Sequence, residues 1–269
     1  MNPSAEIFID ILDDKPSKLL DDFIESYSKD YSINKSKTKE MIADLKAYVS
    51  DRKNVEKRKR LIYINKLEDR WYKSLKRISD PDYSVYDDDY YFVDLWVCWI
   101  AYSRRYLQAL RSNKLLLNGR DRANTADTII DLGCGLGYTT ASIKKLFPDS
   151  AVFGTNLENT KQYKYCKRMS LLHDFSIIPN LNNFEKSADI IFAFEYFEHI
   201  FNPVDHLRQV VEQAKKPILL YIANSFNTKS IGHFTYYKVG NKYVDQSEIS
   251  RIFNKSLRYI GYRKIKTKL

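Results

Sequence analysis

The stretch "TIIDLGCGLGYTT", residues 128–140, constrains the fold more than any other part of this sequence. A β-branched run ends at Asp131, the glycines Gly133, Gly135 and Gly137 follow at alternate positions, and a segment rich in small and polar residues comes next. Glycine permits the tight strand-to-helix turn, and it lacks the side chain that would keep a ligand away from the backbone. The stretch therefore predicts a strand, a turn and a helix, with either a nucleotide-type ligand or a purely structural turn at the glycines.

The residues after this motif alternate between short apolar runs and longer helical stretches. The apolar runs are "AVFGTN", "FSIIP", "ADIIFAF" and "PILLYIA". This alternation predicts an α/β fold, a parallel Rossmann-like sheet covered by helices, over a domain of residues 121–269. The final "GYRKIKTKL" fits a sixth strand, with no obvious seventh after it, and Lys264, Lys266 and Lys268 would place charge on an exposed sheet edge.

Residues 1–120 have a different pattern, with apolar residues at helical spacing and almost no glycine. Segments such as "LLDDFIESY" and "MIADLKAYV" predict an all-helical N-terminal domain of four or five helices, an accessory unit for substrate or partner binding. Breaks are expected near Pro16, around "SINKSKT" and at "SDPDYSVYDDD". The most apolar run, "YYFVDLWVCWIAY", is too short for a bilayer and contains Asp94, so it predicts a buried helix and no membrane span.

The formal charge of +10 favours an anionic partner such as a nucleic acid, a nucleotide or a membrane surface. The densest basic run, "DRKNVEKRKR" at residues 51–60, is either a solvated helix face or a nucleic-acid contact. The net charge alone does not distinguish among these partners.

The cysteines and the N-terminus bear on the compartment. Cys98, Cys134 and Cys166 are odd in number and fit no ligand spacing, which favours reduced thiols over a disulfide framework or a metal finger. The opening "MNPSAEIFIDILDDK" is acidic where a secretory signal is basic. Together these features predict a cytoplasmic protein.

A second motif, "FEYFEHI" at residues 194–200, ends an apolar run with Glu195, Glu198 and His199. Two carboxylates and an imidazole at this spacing could cap a helix, hold a divalent metal or move a proton. The segment "IANSFNTKSIGHFTY" adds His233 after the next strand. We leave His173 and His206 out of the candidate site as ordinary surface or packed histidines.

The glycine turn and "ADIIFAFEYFEHI" resemble the first and fourth-strand motifs of class I S-adenosylmethionine-dependent methyltransferases, over roughly the C-terminal half of the chain. The resemblance implies S-adenosylmethionine as cofactor, with Asp131 beside its methionine moiety and the backbone of Gly133, Gly135 and Gly137 lining it. The family usually ends its second strand with an acidic residue on the ribose hydroxyls, where this chain has Asn156. Asparagine can accept from and donate to hydroxyls, and Glu158 is the nearest carboxylate.

The Glu-x-x-Glu-His motif is similar to that of small-RNA 3'-terminal 2'-O-methyltransferases and ubiquinone-type O-methyltransferases. That resemblance implies a divalent ion held by Glu195, Glu198, His199 and the later His233, and these ligand types suit Mg, Mn or Zn. The alternative is a metal-free site in which His199 is the general base and the glutamates orient it. The motif lacks the Asp-Pro-Pro-Tyr of amino-methylating DNA enzymes and the Pro-Cys of cytosine-carbon enzymes, so both classes are disfavoured.

These features predict an S-adenosylmethionine-dependent methyltransferase acting on an oxygen, with Glu195, Glu198 and His199 as catalytic residues. We favour a nucleic acid over a small molecule or sugar as acceptor, because of the chain's charge and the RNA-family histidine. A non-catalytic interaction protein that binds the cofactor is the second alternative.

Overall fold

The N-terminal part of the computed structural model is helical throughout its described residues. The structure describes residues 9–50, 62–76, 81–112, 126–182 and 184–263. The helices are α1 (Pro16–Tyr31), α2 (Lys35–Ser50), α3 (Ile62–Ser74), a 3-10 helix (Tyr83–Asp87), α4 (Asp89–Cys98), a π-helical turn (Trp99–Ser103) and α5 (Arg104–Ser112). The predicted breaks are confirmed: Pro16 opens α1, and the Asp88 side chain caps α4 by accepting the backbone N–H of Tyr90.

The C-terminal part is a five-stranded parallel sheet with helices between its strands. The strands are β1 (Thr128–Asp131), β2 (Ala151–Thr155), β3 (Ser176–Ile178), β4 (Ile190–Phe194) and β5 (Leu219–Ala223). The helices are α6 (Tyr138–Leu146), α7 (Lys161–His173), α8 (Pro203–Gln213) and α9 (Gln246–Tyr259). The strand order β3-β2-β1-β4-β5 confirms the predicted Rossmann-like α/β fold.

The strand order reverses between β1 and β4, which pair in register with Ile129 opposite Ile190. In open parallel sheets the crevice for a ligand lies at this reversal, beyond the carboxyl ends of the strands. The glycine turn follows β1 and the Glu-x-x-Glu-His motif follows β4. The fold therefore brings the two sequence motifs to the same edge of the sheet.

An antiparallel hairpin of β6 (Tyr236–Val239) and β7 (Lys242–Asp245) forms a separate two-stranded sheet. The sequence analysis missed this hairpin, although "YYKVGNKYV" places a Gly-Asn turn between two short runs. Of the expected final strand, residues 261–263 follow α9 without forming one, and residues 264–269, with their three lysines, lie outside the described residues. Within the described residues, β5 is therefore an edge of the larger sheet.

The helical part packs directly against the helices that cover the sheet. The ring of Phe23 in α1 stacks on Trp96 in α4 at 5.1 Å and meets Tyr138 and Tyr165, of α6 and α7, edge-on at 6.5 and 6.4 Å. Buried residues of both parts belong to one hydrophobic cluster. The predicted boundary at residue 120 falls in 113–125, outside the described residues, so the division into two domains stays a prediction.

The structure includes three of the remaining sequence features, and the fourth lies outside the described residues. The apolar run at residues 90–102 forms α4 and the π-helical turn, and most of its side chains are buried as predicted. No helix within the described residues combines the length and apolar character needed to cross a bilayer. Cys98, Cys134 and Cys166 are free thiols. The basic run at 51–60 lies outside the described residues.

Candidate active site

The glycine turn after β1 has left-handed backbone at all three glycines, with φ of +67° at Gly133, +51° at Gly135 and +89° at Gly137. Two backbone N–H groups bind it to β2: Gly133 donates to the Thr155 hydroxyl at 2.9 Å, and Cys134 donates to the Thr155 carbonyl at 2.9 Å. Because residues with a side chain rarely adopt these angles, the conformation explains the glycine spacing.

The three glycines differ in what surrounds them. A Cβ on Gly133 would lie 2.5 Å from the ring of Tyr196, and one on Gly137 would lie 3.0–3.1 Å from three packed side chains. A Cβ on Gly135 would meet only the Leu95 side chain, at the ordinary contact distance of 3.6 Å. Protein packing therefore accounts for Gly133 and Gly137, whereas Gly135 borders the cavity described below, with only Leu95 close to it.

Two residues predicted to bind the cofactor hold the turn itself. The buried Asp131 carboxylate accepts a 2.6 Å hydrogen bond from the Thr140 hydroxyl at the start of α6. The Asn156 side-chain amide donates to the Gly135 carbonyl at 2.7 Å, and its oxygen accepts the N–H of Leu157 at 2.8 Å. Both side chains are thus engaged in fixing the backbone that a cofactor would approach, and their direct contact with a cofactor stays a prediction.

Burial raises the pKa of Asp131 to about 7, against an opposing hydrogen bond from Thr140. Between about pH 4 and pH 7 the unfolded chain has lost a proton that the folded chain retains, so this group makes the free energy of unfolding fall as pH rises. The slope is at most about 1.4 kcal/mol per pH unit. We expect Asp131→Asn to remove that slope, as measured by urea unfolding across this range. A variant whose pH dependence matches the wild type would contradict the assignment.

The two glutamates after β4 meet through an unusual local backbone. Glu195 has left-handed φ of +50°, and the 3-10 helix Phe197–His199 begins only after it. The spacing of three residues would by itself place Glu195 and Glu198 on one face of a regular helix. In the structure, the left-handed backbone at Glu195 turns the chain sharply at the end of β4, and this turn brings the two carboxylates together.

Residues that follow β5 bind both carboxylates. Ser225 donates its backbone N–H to Glu198 Oε1 at 2.7 Å and its hydroxyl to Glu195 Oε1 at 3.1 Å. Asn224, with its amide nitrogen turned toward Glu198, donates to Oε2 at 3.1 Å. The ends of neighbouring strands β4 and β5 therefore fix the glutamates together.

His233 completes a three-residue cluster. Its Nδ1 lies 2.8 Å from the carbonyl of Thr228 and must donate, since a carbonyl only accepts; a neutral ring then carries its lone pair on Nε2. One ligand atom each from Glu195, Glu198 and His233 lie within 4.8 Å of one another. Three of the four predicted ligands are thus brought together.

His199, the fourth predicted ligand, is adjacent to this cluster rather than part of it. Its ring packs edge-on against His233 at 4.7 Å between centroids, and its Nδ1 lies 3.3 Å from the hydroxyl of Tyr86 in the helical part. Desolvation and the neighbouring His233 lower its pKa well below the usual range, so the ring is neutral.

Burial makes it unfavourable for both glutamates of the cluster to be ionised at once. Glu198 is fully buried, and burial together with the Glu195 carboxylate raises its pKa well above the usual range. Two adjacent carboxylates with this burial are stabilised by sharing a proton or by binding a metal ion. The donor set, two carboxylates and an imidazole, fits Mg, Mn or Zn by ligand type.

Aromatic side chains of the helical part hold the loop that carries His233. They donate hydrogen bonds to three backbone carbonyls of residues 229–233: Tyr48 to Lys229 at 3.2 Å, Trp71 to His233 at 2.6 Å and Tyr72 to Ser230 at 2.9 Å. Sequence reasoning missed these residues, because aromatic residues at helical spacing are indistinguishable from ordinary core. The helical part is therefore a structural support of the site.

A cavity of about 110 Å³ connects the two motifs. Its walls come from the glycine turn, the Glu195, His199 and His233 side chains, and one face of α4 and the π-helical turn. The residues on that face are Tyr91, Asp94, Leu95, Cys98, Trp99, Tyr102 and Ser103. Asp131 and Asn156 are not among the residues that line it.

A longer groove of about 1570 Å³ runs beside β5 and reaches Glu195 at one end. Five basic residues line it, together with several aromatic ones; the basic residues are Arg208, Lys215, Lys216, Arg258 and Arg263. The sequence analysis did not anticipate this groove, since its basic residues come from separate segments of the chain.

The comparisons with known proteins return methyltransferases over part of the chain. No protein-family model matches the sequence. The chain is 30% identical over 128 residues to the protein named "Putative methyltransferase 235L" of Invertebrate iridescent virus 6; the matched segment is 46% of this chain and 48% of the viral protein. The chain thus spans about half the length of the curated relative it matches.

Two solved structures match part of the chain at low similarity. Coclaurine N-methyltransferase, bound to N-methylheliamine and SAH, is 23% identical, with 45% of this chain and 35% of that chain covered and a TM-score of 0.33. The plantazolicin methyltransferase BpumL, in complex with SAH, is 20% identical, with 44% and 52% covered and a TM-score of 0.30. TM-scores this low add nothing to the strand order described above.

Proposed function

We propose that this protein is an S-adenosylmethionine-dependent methyltransferase that methylates an oxygen of its acceptor. The observation that carries this proposal is that the glycine turn after β1 borders the same cavity as Glu195 and His233, two members of the Glu195, Glu198 and His233 cluster. Methyl transfer from a sulfonium is a direct displacement, so the protein must align cofactor and acceptor and assist loss of the hydroxyl proton. The partial match to a viral methyltransferase supports the same chemistry.

Each part of the site has a role in this proposal. The backbone at Gly135 approaches the cofactor, while Asp131 and Asn156 hold that backbone in place. Glu195, Glu198 and His233 would hold a divalent ion, Mg, Mn or Zn. Such an ion, when bound, lowers the pKa of a nearby hydroxyl. Ser225 and Thr228 orient the ligands through the hydrogen bonds described above.

The rival mechanism needs no metal. In it, neutral His199, which also lines the cavity, accepts the proton from the acceptor hydroxyl. Chelation separates the two mechanisms. Activity that survives exhaustive EDTA treatment and His233→Ala, yet is lost in His199→Ala, would support the metal-free mechanism and exclude the metal-dependent one.

We propose a nucleic acid as acceptor, on grounds of charge. The chain carries a formal +10, and the groove that reaches Glu195 is lined by five basic residues. Phosphates attract such a surface, and the affinity falls steeply with salt concentration. A small molecule or sugar is the second candidate, because the helical part encloses the small cavity where the methyl group would be transferred.

Cofactor binding and turnover test the proposal together. We expect S-adenosylhomocysteine at 100 times its Kd to stabilise the wild-type protein by about 2.7 kcal/mol, because a ligand of the native state shifts the unfolding equilibrium. Calorimetric titration measures the affinity, and labelled S-adenosylmethionine offered with separate pools of RNA, DNA and small metabolites identifies the acceptor. Binding with no transfer to any pool would favour a non-catalytic interaction protein, and no binding would end the methyltransferase proposal.

A further inference from the structure

One carboxylate enters the cavity from the helical part. Asp94 is the only charged residue between Tyr90 and Ser103, a stretch otherwise rich in large apolar side chains. It is half-buried on the face of α4 that lines the cavity, while its neighbours Val93 and Trp96 are buried in the core. The sheet therefore supplies one side of the site, and the helical part supplies an additional charged group opposite.

The contact made by the next residue, Leu95, shows that Asp94 lies near the glycine turn. The side chain of Leu95 lies 3.6 Å from where a Cβ of Gly135 would be, so α4 faces the turn across a narrow gap. The π-helical turn that follows places Cys98, Trp99 and Tyr102 on the same wall. Single π-helical turns occur frequently at functional sites, where they redirect side chains.

The charge of the cavity is opposite to that of the chain. The protein has a formal charge of +10, yet the described residues lining the cavity include no lysine or arginine. They include the carboxyl groups of Asp94 and Glu195. A partly enclosed site of this kind favours a cationic ligand, because charges interact more strongly away from bulk water.

S-adenosylmethionine carries two positive groups, the sulfonium and the α-ammonium, and both belong to its methionine half, which has a net charge of +1 after its α-carboxylate is counted. The methyl group must lie beside the Glu195 and His233 cluster to reach an acceptor held there, so the sulfonium lies at this cavity. The acidic lining of the cavity favours the positively charged methionine half over the uncharged adenosine half.

Building on the proposed function, we propose that Asp94 binds the α-ammonium group of S-adenosylmethionine. The sulfonium lies toward Glu195, where transfer takes place, and the ammonium lies on the opposite wall, where Asp94 accepts a charge-assisted hydrogen bond from it. The helical part then supplies a cofactor contact that the sheet and the glycine turn lack. Asp94 has no part in the transfer itself; it is a binding residue that fixes the methionine half.

Two ligands that differ in the amino-acid group test this assignment. S-adenosylhomocysteine retains the α-ammonium, whereas 5'-methylthioadenosine keeps the nucleoside and the sulfur and lacks it. We expect Asp94→Asn, which conserves the shape of the side chain, to weaken S-adenosylhomocysteine binding by about 10–100-fold and 5'-methylthioadenosine binding by less than about 2-fold. Isothermal titration calorimetry measures both affinities, and retained 5'-methylthioadenosine binding shows that the variant is folded.

The matched control is Asp69→Asn, which removes the charge of an exposed aspartate in α3 of the same helical part. It should leave both affinities unchanged. If Asp94→Asn weakens both ligands equally, or neither, the assignment is wrong. If the wild-type protein binds 5'-methylthioadenosine but gains no affinity from the amino-acid group, the assignment also fails while a nucleoside site remains. If the wild-type protein binds neither ligand, the proposed function itself is wrong, and the assignment of Asp94 is wrong with it.

Discussion

The Glu198→Gln variant is expected to lose divalent-ion binding and, at the same time, to be more stable than the wild type when no ion is present. Glu198 is fully buried beside Glu195, and both burial and that neighbour oppose its charge. A neutral amide of the same shape removes the repulsion, and its oxygen can still accept the Ser225 N–H. Its nitrogen can donate to Asn224, whose amide turns to present oxygen.

Calorimetric unfolding with and without Mn²⁺ measures both effects. In the wild type, Mn²⁺ at 100 times its Kd should stabilise the fold by about 2.7 kcal/mol. Loss of a direct ligand should reduce Mn²⁺ affinity by more than the ~10–100-fold typical of changes around the ligands, and activity should fall with it. Glu40→Gln, on an exposed position of α2 away from both cavities, is the matched control. A Glu198→Gln variant that keeps the full Mn²⁺ stabilisation would exclude the proposed ion site.

Gly135→Ala is expected to weaken cofactor binding strongly at a modest cost in stability. The residue has φ of +51°, so a side chain there costs about 1–2 kcal/mol in backbone strain. A Cβ would meet only Leu95, at 3.6 Å, so the fold itself has room for it. The methyl group would occupy the space through which the cofactor approaches the backbone, and we expect S-adenosylhomocysteine affinity to fall at least ~10-fold.

The hairpin between β6 and β7 offers a closely matched control for that strain. Gly240 has φ of +57° and nothing within 4 Å of a Cβ placed on it. Gly240→Ala should lose similar stability by thermal unfolding and bind S-adenosylhomocysteine as the wild type does. Equal affinities in the two variants would show that Gly135 faces no ligand.

The parts of the site that could be predicted from the sequence are those set by strand ends. Parallel strands bring their carboxyl ends to one edge, so the glycine turn after β1 and Glu195 and Glu198 after β4 were expected to meet there. The position of His233 followed from the same rule, since its segment comes after the adjacent β5. The predicted parallel sheet is also confirmed.

Other features of the site depend on how the side chains pack, which the spacing of residues in the sequence does not determine. His199 follows Glu198 directly, yet its ring turns toward Tyr86 rather than joining the cluster, because the short 3-10 helix sends neighbouring side chains in different directions. Asn156 has the right chemistry for a ribose but binds the Gly135 carbonyl. Asp94, in contrast, stands out in the sequence as a lone acidic residue in an apolar run.

The hydrogen bonds from α2 and α3 to the loop carrying His233 determine when the site can form during folding. The donors Tyr48, Trp71 and Tyr72 are 181, 162 and 158 residues from their acceptors in the sequence. Contacts of such long sequence separation require the closure of very large loops, whose entropy is lost before the contacts compensate for it. During synthesis, the helices leave the ribosome long before the loop they support. The cavity therefore cannot form until residues 229–233 have followed the helices out of the ribosome.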